Sequence, residues 1–164
     1  MAYGIKALRK IAFGLEGTSG TPVVASKVWR GKGLLKDDRT REFVDENVGE
    51  YVSEGHTYVP KYHAIMTLDE TTATFEQLPM LLAACIEDVV AGVQNNGGPY
   101  VYQYDVPITA ANSIKTYTIE AGDNQRADEM EYSYVNEMSL SGAGGEALMV
   151  SATFFGRQAT DAEF

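Results

Sequence analysis

The chain has 164 residues, 45% of them hydrophobic and 22% charged, which suits one domain with a core of its own rather than a disordered segment. A single cysteine, Cys85, leaves no internal disulfide framework and no multi-cysteine metal centre. The net charge of −10 argues against a protein that grips nucleic acid through its phosphates, and the longest apolar run, 78–86, broken by Pro79, is too short for a membrane helix.

Taken in chain order, 5–16 reads as a strand with imperfect alternation, and the lack of a continuous apolar segment over 1–16 predicts no secretory signal. Residues 14–20 (GLEGTSG) form a turn-rich loop that ends at Pro22. Their glycine spacing is not a phosphate loop, because no Lys-Ser/Thr pair and no helix follow. Residues 28–35 are a predicted strand. Residues 36–60 differ: seven acidic residues, two arginines and scattered apolar positions show no period. A stretch that long without periodicity is either a mobile surface loop or an arm that gains its contacts from another molecule. A strand is expected over 62–68.

The one convincing helix runs from Thr74 to Asp88, or to position 90 at its widest. Thr74 and Gln77 have capping-box spacing, and Phe75, Leu78, Leu82 and Ile86 form the expected buried stripe. Pro79 forfeits a backbone bond and can delay the start by a turn. Residues 94–99 are a loop. From 100 to 157 the pattern is strand after strand: Tyr100, Tyr102, Tyr104 and Val106 on one face, then Tyr117 and Ile119, then a turn at Gly122-Asp123-Asn124. Tyr132, Tyr134, Met138 and Leu140 follow as an apolar face, and Leu148, Val150, Ala152 and Phe154 as another. No repeat and no boundary divides the chain, so residues 1–164 are expected to form a single, mainly β domain with one helix.

Nothing converges on chemistry. His56 and His63 fit no local zinc spacing. Cys85 sits among alanines as a buried thiol. The paired carboxylates Asp37-Asp38, Asp45-Glu46 and Glu87-Asp88 lie in polar context, which reads as a solvated face without the burial a catalytic pair needs. No cofactor, metal or catalytic group is expected, and the absence of a constellation argues against an enzyme. The charge is instead split. Residues 1–41 carry nine basic and three acidic residues, while 42–164 carry four basic and twenty acidic ones. Opposed blocks let copies attract one another head to tail; the plainer alternative is a basic arm folded onto its own acidic body.

Several stretches, in order along nearly the whole chain, resemble the tail tube proteins of long-tailed bacteriophages and prophages. They are residues 9–16 with the Gly-Thr-Ser-Gly-Thr-Pro loop after them, 36–40, 58–62, 74–79, 117–124, 139–146 and Gly156-Arg157-Gln158. The resemblance implies a β-sandwich or barrel-like fold with a flanking helix and a long extended arm. It implies copies that assemble into rings, usually hexamers, and rings that stack into the hollow tube through which DNA is ejected. The expected location is then the virion's tail, after assembly in the host bacterial cytoplasm. The expected partners are further copies, other tail proteins at the tube ends and DNA in transit, with no membrane. Within phage proteins the alternative is a tail terminator or distal tail adaptor; from another class, it is a monomeric small-ligand β-barrel with an apolar cavity.

For assembly, the basic N-terminal third and the arm supply the expected contacts: Lys6, Arg9, Lys10, Asp37, Asp38, Arg39, Arg41, Glu42, Asp45 and Glu46. For the lumen, strand parity supplies the candidates. Matching the two apolar faces above needs an odd loop, met by Ala143-Gly144-Gly145, which sets Glu137 opposite Ser151, Val135 opposite Thr153 and Ser133 opposite Phe155. The polar face so formed is expected to line the channel through Glu131, Ser133, Glu137, Ser151 and Thr153. An acidic, small-residue lining repels DNA over a Debye length of about 8 Å at physiological salt.

Overall fold

The computed structural model describes residues 5–47, 49, 51, 56–86, 92–94, 96–106, 108–112 and 114–163. Its elements are β1 (Lys10–Leu15), β2 (Lys27–Val28), β3 (Gly33–Asp37), β4 (Thr40–Val44), β5 (His56–Lys61), β6 (Ala64–Thr72), α1 (Leu78–Cys85), β7 (Val93–Gln94), β8 (Tyr100–Val101), β9 (Tyr117–Gly122), β10 (Ala127–Ser141), β11 (Met149–Gly156) and β12 (Ala159–Ala162). All ladders are antiparallel. The protein is mainly β with one helix, as its sequence predicts.

The main sheet runs β2-β1-β9-β10-β11-β6-β3, with β12 also on β10. The fifteen-residue β10 organises it. Its first part pairs β9 on one edge and β12 on the other; its second part pairs β11. The strand changes sheets at a bulge between Met130 and Ser133, where Tyr132 adopts φ +54°. The neighbouring chain breaks at the same level, between β11 and β12. There a Cβ on Gly156 would come within 2.5 Å of the Met130 side chain, so only glycine fits the bend. Sheet A (β2-β1-β9-β10-β12) and sheet B (β10-β11-β6-β3) therefore share one bent strand, a device by which orthogonal sheets make corners. Phe13 of sheet A meets Phe154 of sheet B with ring centroids 5.5 Å apart, and Met66, Leu68, Ile119, Met130 and Val150 fill the space around them.

Several boundaries differ from the sequence reading. Of the first predicted strand only 10–15 pairs as a strand; Lys6–Leu8 is a single 3-10 turn. Its imperfect alternation has a physical cause: Ile11 to Gly14 are all buried, because β1 lies between the core and a segment over its outer face. The predicted strand 28–35 is two strands, β2 and β3, and β6 runs on to Thr72. Of the expected strand at 100–106 only β8 forms, paired with β7 around a tip where Asn96 and Gly97 both take positive φ.

The helix is shorter than predicted and turned. It starts at Leu78, after a turn closed by Gln77 N–H to the Thr74 carbonyl, so Pro79 occupies the first turn, where no bond is lost. Thr74 does not cap backbone; its hydroxyl donates to the Gln77 side chain. The buried residues are Met80, Leu81 and Ala84, not the expected stripe: Leu78, Leu82 and Ile86 are half-buried and Phe75 is 96% exposed. Starting the helix at Leu78, with Pro79 in its first turn, leaves Phe75 outside it and turns the buried face to Met80, Leu81 and Ala84. The predicted extension over 87–90 lies outside the described residues.

Candidate assembly and lumen surfaces

The outer faces of the two sheets differ in kind. On sheet A the outer face carries Thr118, Glu120 and Glu129, and the segment 17–26 straps over it. The strap is held by backbone N–H groups that donate to side chains: Val23 to Thr118 Oγ1 (3.1 Å) and Ala25 to Glu120 Oε1 (3.1 Å). At its root lies Glu16, only 5% exposed. Glu16 Oε2 accepts from Gly20 N–H (2.7 Å) and Thr116 Oγ1 (2.6 Å); Oε1 accepts from Tyr132 N–H (2.8 Å) and Thr118 Oγ1 (3.1 Å). Burial pushes this carboxyl up, but the four donors together outweigh burial and hold it below the usual carboxylate range. One carboxylate thus pins the strap, β9 and the strained Tyr132 at the corner. The sequence reading ends the first strand at Glu16, where the turn-rich stretch has begun, and gives the residue no role; a glutamate next to an apolar strand, with Thr116 and Thr118 at alternate positions, is the signal it carries.

Glu129 lies directly opposite Glu120 across β9 and β10. Burial first, then the charges of Glu120, Glu131 and Glu16, push its carboxyl up. Glu131 is ion-paired with Arg157 at 2.9 Å. The Arg157 guanidinium also lies 5.3 Å from the centre of the Tyr132 ring, which meets Tyr134 edge-on at 4.9 Å; Tyr134 stacks on Phe155 at 5.7 Å. Burial, with Tyr132 and Glu16 nearby, pushes the Tyr134 hydroxyl up to about 12.

The outer face of sheet B is open. Beyond the aromatic corner it carries a strip of small polar side chains: Glu137, Ser139, Ser151, Thr153 and Thr67 line one shallow groove of about 220 Å³. Three of the five lumen candidates, Glu137, Ser151 and Thr153, meet there. Two do not. Ser133 is fully buried, with its hydroxyl on the Met130 carbonyl at 3.1 Å, and Glu131 belongs to the corner. The expected register also shifts. Glu137 pairs Thr153, Ser139 pairs Ser151, and Tyr134, not Ser133, faces Phe155. A second bulge, between Val135 and Glu137, turns Val135 against the core opposite Phe154. The loop is odd, as parity requires, but spans 142–148, and Gly145, at φ +89°, takes its left-handed position.

No known protein family and no curated protein matches this chain.

The arm is not featureless. β4 and β5 form a two-stranded ladder apart from the main sheet, with Phe43 opposite Thr57, Glu42 opposite Tyr58 and a bulge after Thr40. Its root is tied by Asp38 N–H to the His63 carbonyl (2.9 Å). The expected interface charges on it pair locally. Arg39 Nε donates to Asp37 at 2.6 Å, Lys36 to Asp38 at 2.9 Å, and Glu46 faces the His56 imidazole at 2.9 Å. The Lys36 ammonium, with lesser help from His63, holds Asp38 below the usual carboxylate range. Arg41, Glu42 and Asp45 are exposed, as are Lys6, Arg9 and Lys10 at the other candidate site. That N-terminal segment lies against the β9–β10 turn through Ile5 N–H to Asn124 Oδ1 (3.0 Å). Among the described residues no cluster of metal-ligating side chains occurs, and no helix is long and apolar enough to cross a membrane.

Proposed function

We propose that this protein is a structural subunit of a phage-type tail tube, forming rings that stack around a DNA-conducting lumen. The observation that carries the reading is sheet B. It has four strands, with one face in the core and, on the other, a strip of serine, threonine and glutamate flanked by Leu34, Lys36, Ile65, Tyr134 and Phe155. Both of its lateral edges, β3 and the second half of β10, lack a ladder partner among the described residues. An exposed pair of edges invites pairing with further chains, and closing such sheets into one barrel removes the edges. A head-to-tail contact whose rotation closes makes a ring. The strip itself has hydroxyls and a carboxylate but no cation, and Lys36, on the β3 edge of the same face, is paired with Asp38 at 2.9 Å. The sequence resemblance to tail tube proteins points the same way.

A monomeric ligand barrel fits less well, since Phe13, Met66, Leu68, Ile119 and Phe154 fill the interior where a cavity would be needed. Negative-stain microscopy of concentrated protein tests the reading: rings or tubes with a central channel are expected, and dispersed monomers at every concentration would overturn it. In assembled tubes Glu137→Cys should react slowly with a bulky maleimide. Fast, complete labelling along intact tubes would place the strip outside.

A further inference from the structure

We propose that the acidic β4–β5 arm of one copy docks on the basic N-terminal turn of a second copy, with Arg9 seated against Glu42 and Tyr58. The inference rests on the assembly reading above and specifies one contact within it.

The seat is set by register. Glu42 of β4 pairs directly with Tyr58 of β5, so carboxylate and ring stand side by side on one face of the ladder, with Val44 and His56 next along it. Glu42 is exposed, and Tyr58 is 56% exposed. Among the described residues Glu42 has no hydrogen-bond or ion-pair partner, whereas Glu46 takes the His56 imidazole and Asp37 takes Arg39. A free carboxylate beside an aromatic ring suits a guanidinium, which binds carboxylates through two N–H groups and stacks on ring faces. A two-stranded ladder is marginal on its own in water, so the arm also gains order from a partner.

The guest lies at the other end of the charge split. Leu8 N–H donates to the Ile5 carbonyl (2.8 Å) and Arg9 N–H to the Lys6 carbonyl (3.3 Å), which closes the single 3-10 turn Lys6–Leu8. Such a turn has about three residues, so positions 6 and 9 fall on one side and 5 and 8 on the next. Lys6 and Arg9 are exposed and have no partner among the described residues; Ile5 and Leu8 beside them are half-exposed. The bond from Ile5 N–H to Asn124 Oδ1 fixes the turn to the body, so its two cations are presented from a set place.

Charge selects the pairing. Residues 1–10 carry three basic residues and no acidic one, and the arm, 40–61, carries five acidic and two basic ones. Two arms repel each other, and so do two N-terminal turns; arm against turn attracts. A ring of identical copies needs two different patches on each copy that fit one another, and these are an oppositely charged pair of that kind. The same opposition within one chain is the competing arrangement, and the test separates the two.

The test exchanges the charges. Glu42→Arg and Arg9→Glu both change exposed side chains and should melt with the wild type, while each alone weakens self-association about tenfold in sedimentation. An equimolar mixture of the two variants should recover wild-type association. In it the arm of the Glu42→Arg copy meets the turn of the Arg9→Glu copy, and the converse contact keeps its native pair. Recovery with both substitutions in one chain, but not in the mixture, would put the contact inside a single chain and overturn the proposal. Rings that form normally from either variant alone would overturn this contact and leave the tube reading standing. A mixture that recovers association without ever closing into rings would support the contact and overturn the tube reading.

Discussion

The corner at Glu16 and the arm at Glu46 put the same side chain to opposite uses. Glu16 is buried and takes four hydrogen bonds from a loop, two threonines and a strained backbone. Glu46 lies just past β4, partly exposed, and faces one imidazole. A carboxylate withdrawn from water is costly unless its lone pairs are filled, and once they are filled, every donor that fills them depends on it. A carboxylate left in water commits nothing. The corner therefore fixes the fold, and the arm stays available for another molecule.

The largest expected effect breaks the corner. Glu16→Ala strands the donors of Gly20, Thr116, Thr118 and Tyr132, and removes the bond that holds Tyr132 at positive φ. Denaturant unfolding should show a loss of about 1–3 kcal/mol for each donor left buried without a partner. Glu16→Gln should lose less, since one amide oxygen still accepts. The fold holds Glu16 below its ordinary value, so its contribution is complete at neutral pH. It disappears as pH falls from the ordinary carboxylate range through the lower folded value. An acid-unfolding curve identical in wild type and Glu16→Gln would remove Glu16 from this role.

Next is the helix face. Leu81 is fully buried, so Leu81→Ala should cost about 2–5 kcal/mol, whereas Leu82→Ala, at a half-buried position, should cost clearly less. The reverse order would restore the stripe that spacing alone suggests.

These two sites also mark what the sequence could and could not express. β11 is legible because it is straight: Val150, Ala152 and Phe154 point in, Ser151 and Thr153 out, as alternation predicts. β10 is not, because two bulges reset its parity, and the first is held by Glu16, more than a hundred residues away. A period of two carries no sign of a kink imposed from elsewhere in the fold. So Glu137, Ser151 and Thr153 were found together, while Ser133 and Val135, next to the bulges, were assigned to the wrong face. The helix stripe failed for a local reason, Pro79, visible in the sequence but not its consequence for rotation. The arm's ladder was missed because both its faces meet solvent, which leaves no apolar period to read.

A smaller effect of opposite sign is expected at Glu129. It lies opposite Glu120, with Glu131 and Glu16 near, and the fold raises its carboxyl above the ordinary value. The charged form thus weighs against the fold at neutral pH, and that penalty is relieved as pH falls through the raised folded value. Glu129→Gln should stabilise the protein at pH 7 by about 0.2–1 kcal/mol, the range for a like-charged pair across strands, with the gain vanishing in acid. A destabilised variant at pH 7 would mean that Glu129 has a donor that its charge depends on.

The smallest effect on stability is expected where the assembly reading asks most. Replacing 40–61 by a short Gly-Ser linker removes β4 and β5 and leaves the bond from Asp38 N–H to the His63 carbonyl to close the root. The ladder contributes none of the buried core, and ion pairs as exposed as His56 with Glu46 contribute about 0–1 kcal/mol. Stability of the shortened monomer should therefore stay within about 1 kcal/mol of wild type, while ring and tube formation is lost. The two readouts separate the arm from the corner. Glu16→Ala lowers stability and, through it, assembly, whereas arm removal lowers assembly alone. Normal tubes from the shortened chain would make the arm dispensable, and a monomer that no longer folds would make it part of the core after all.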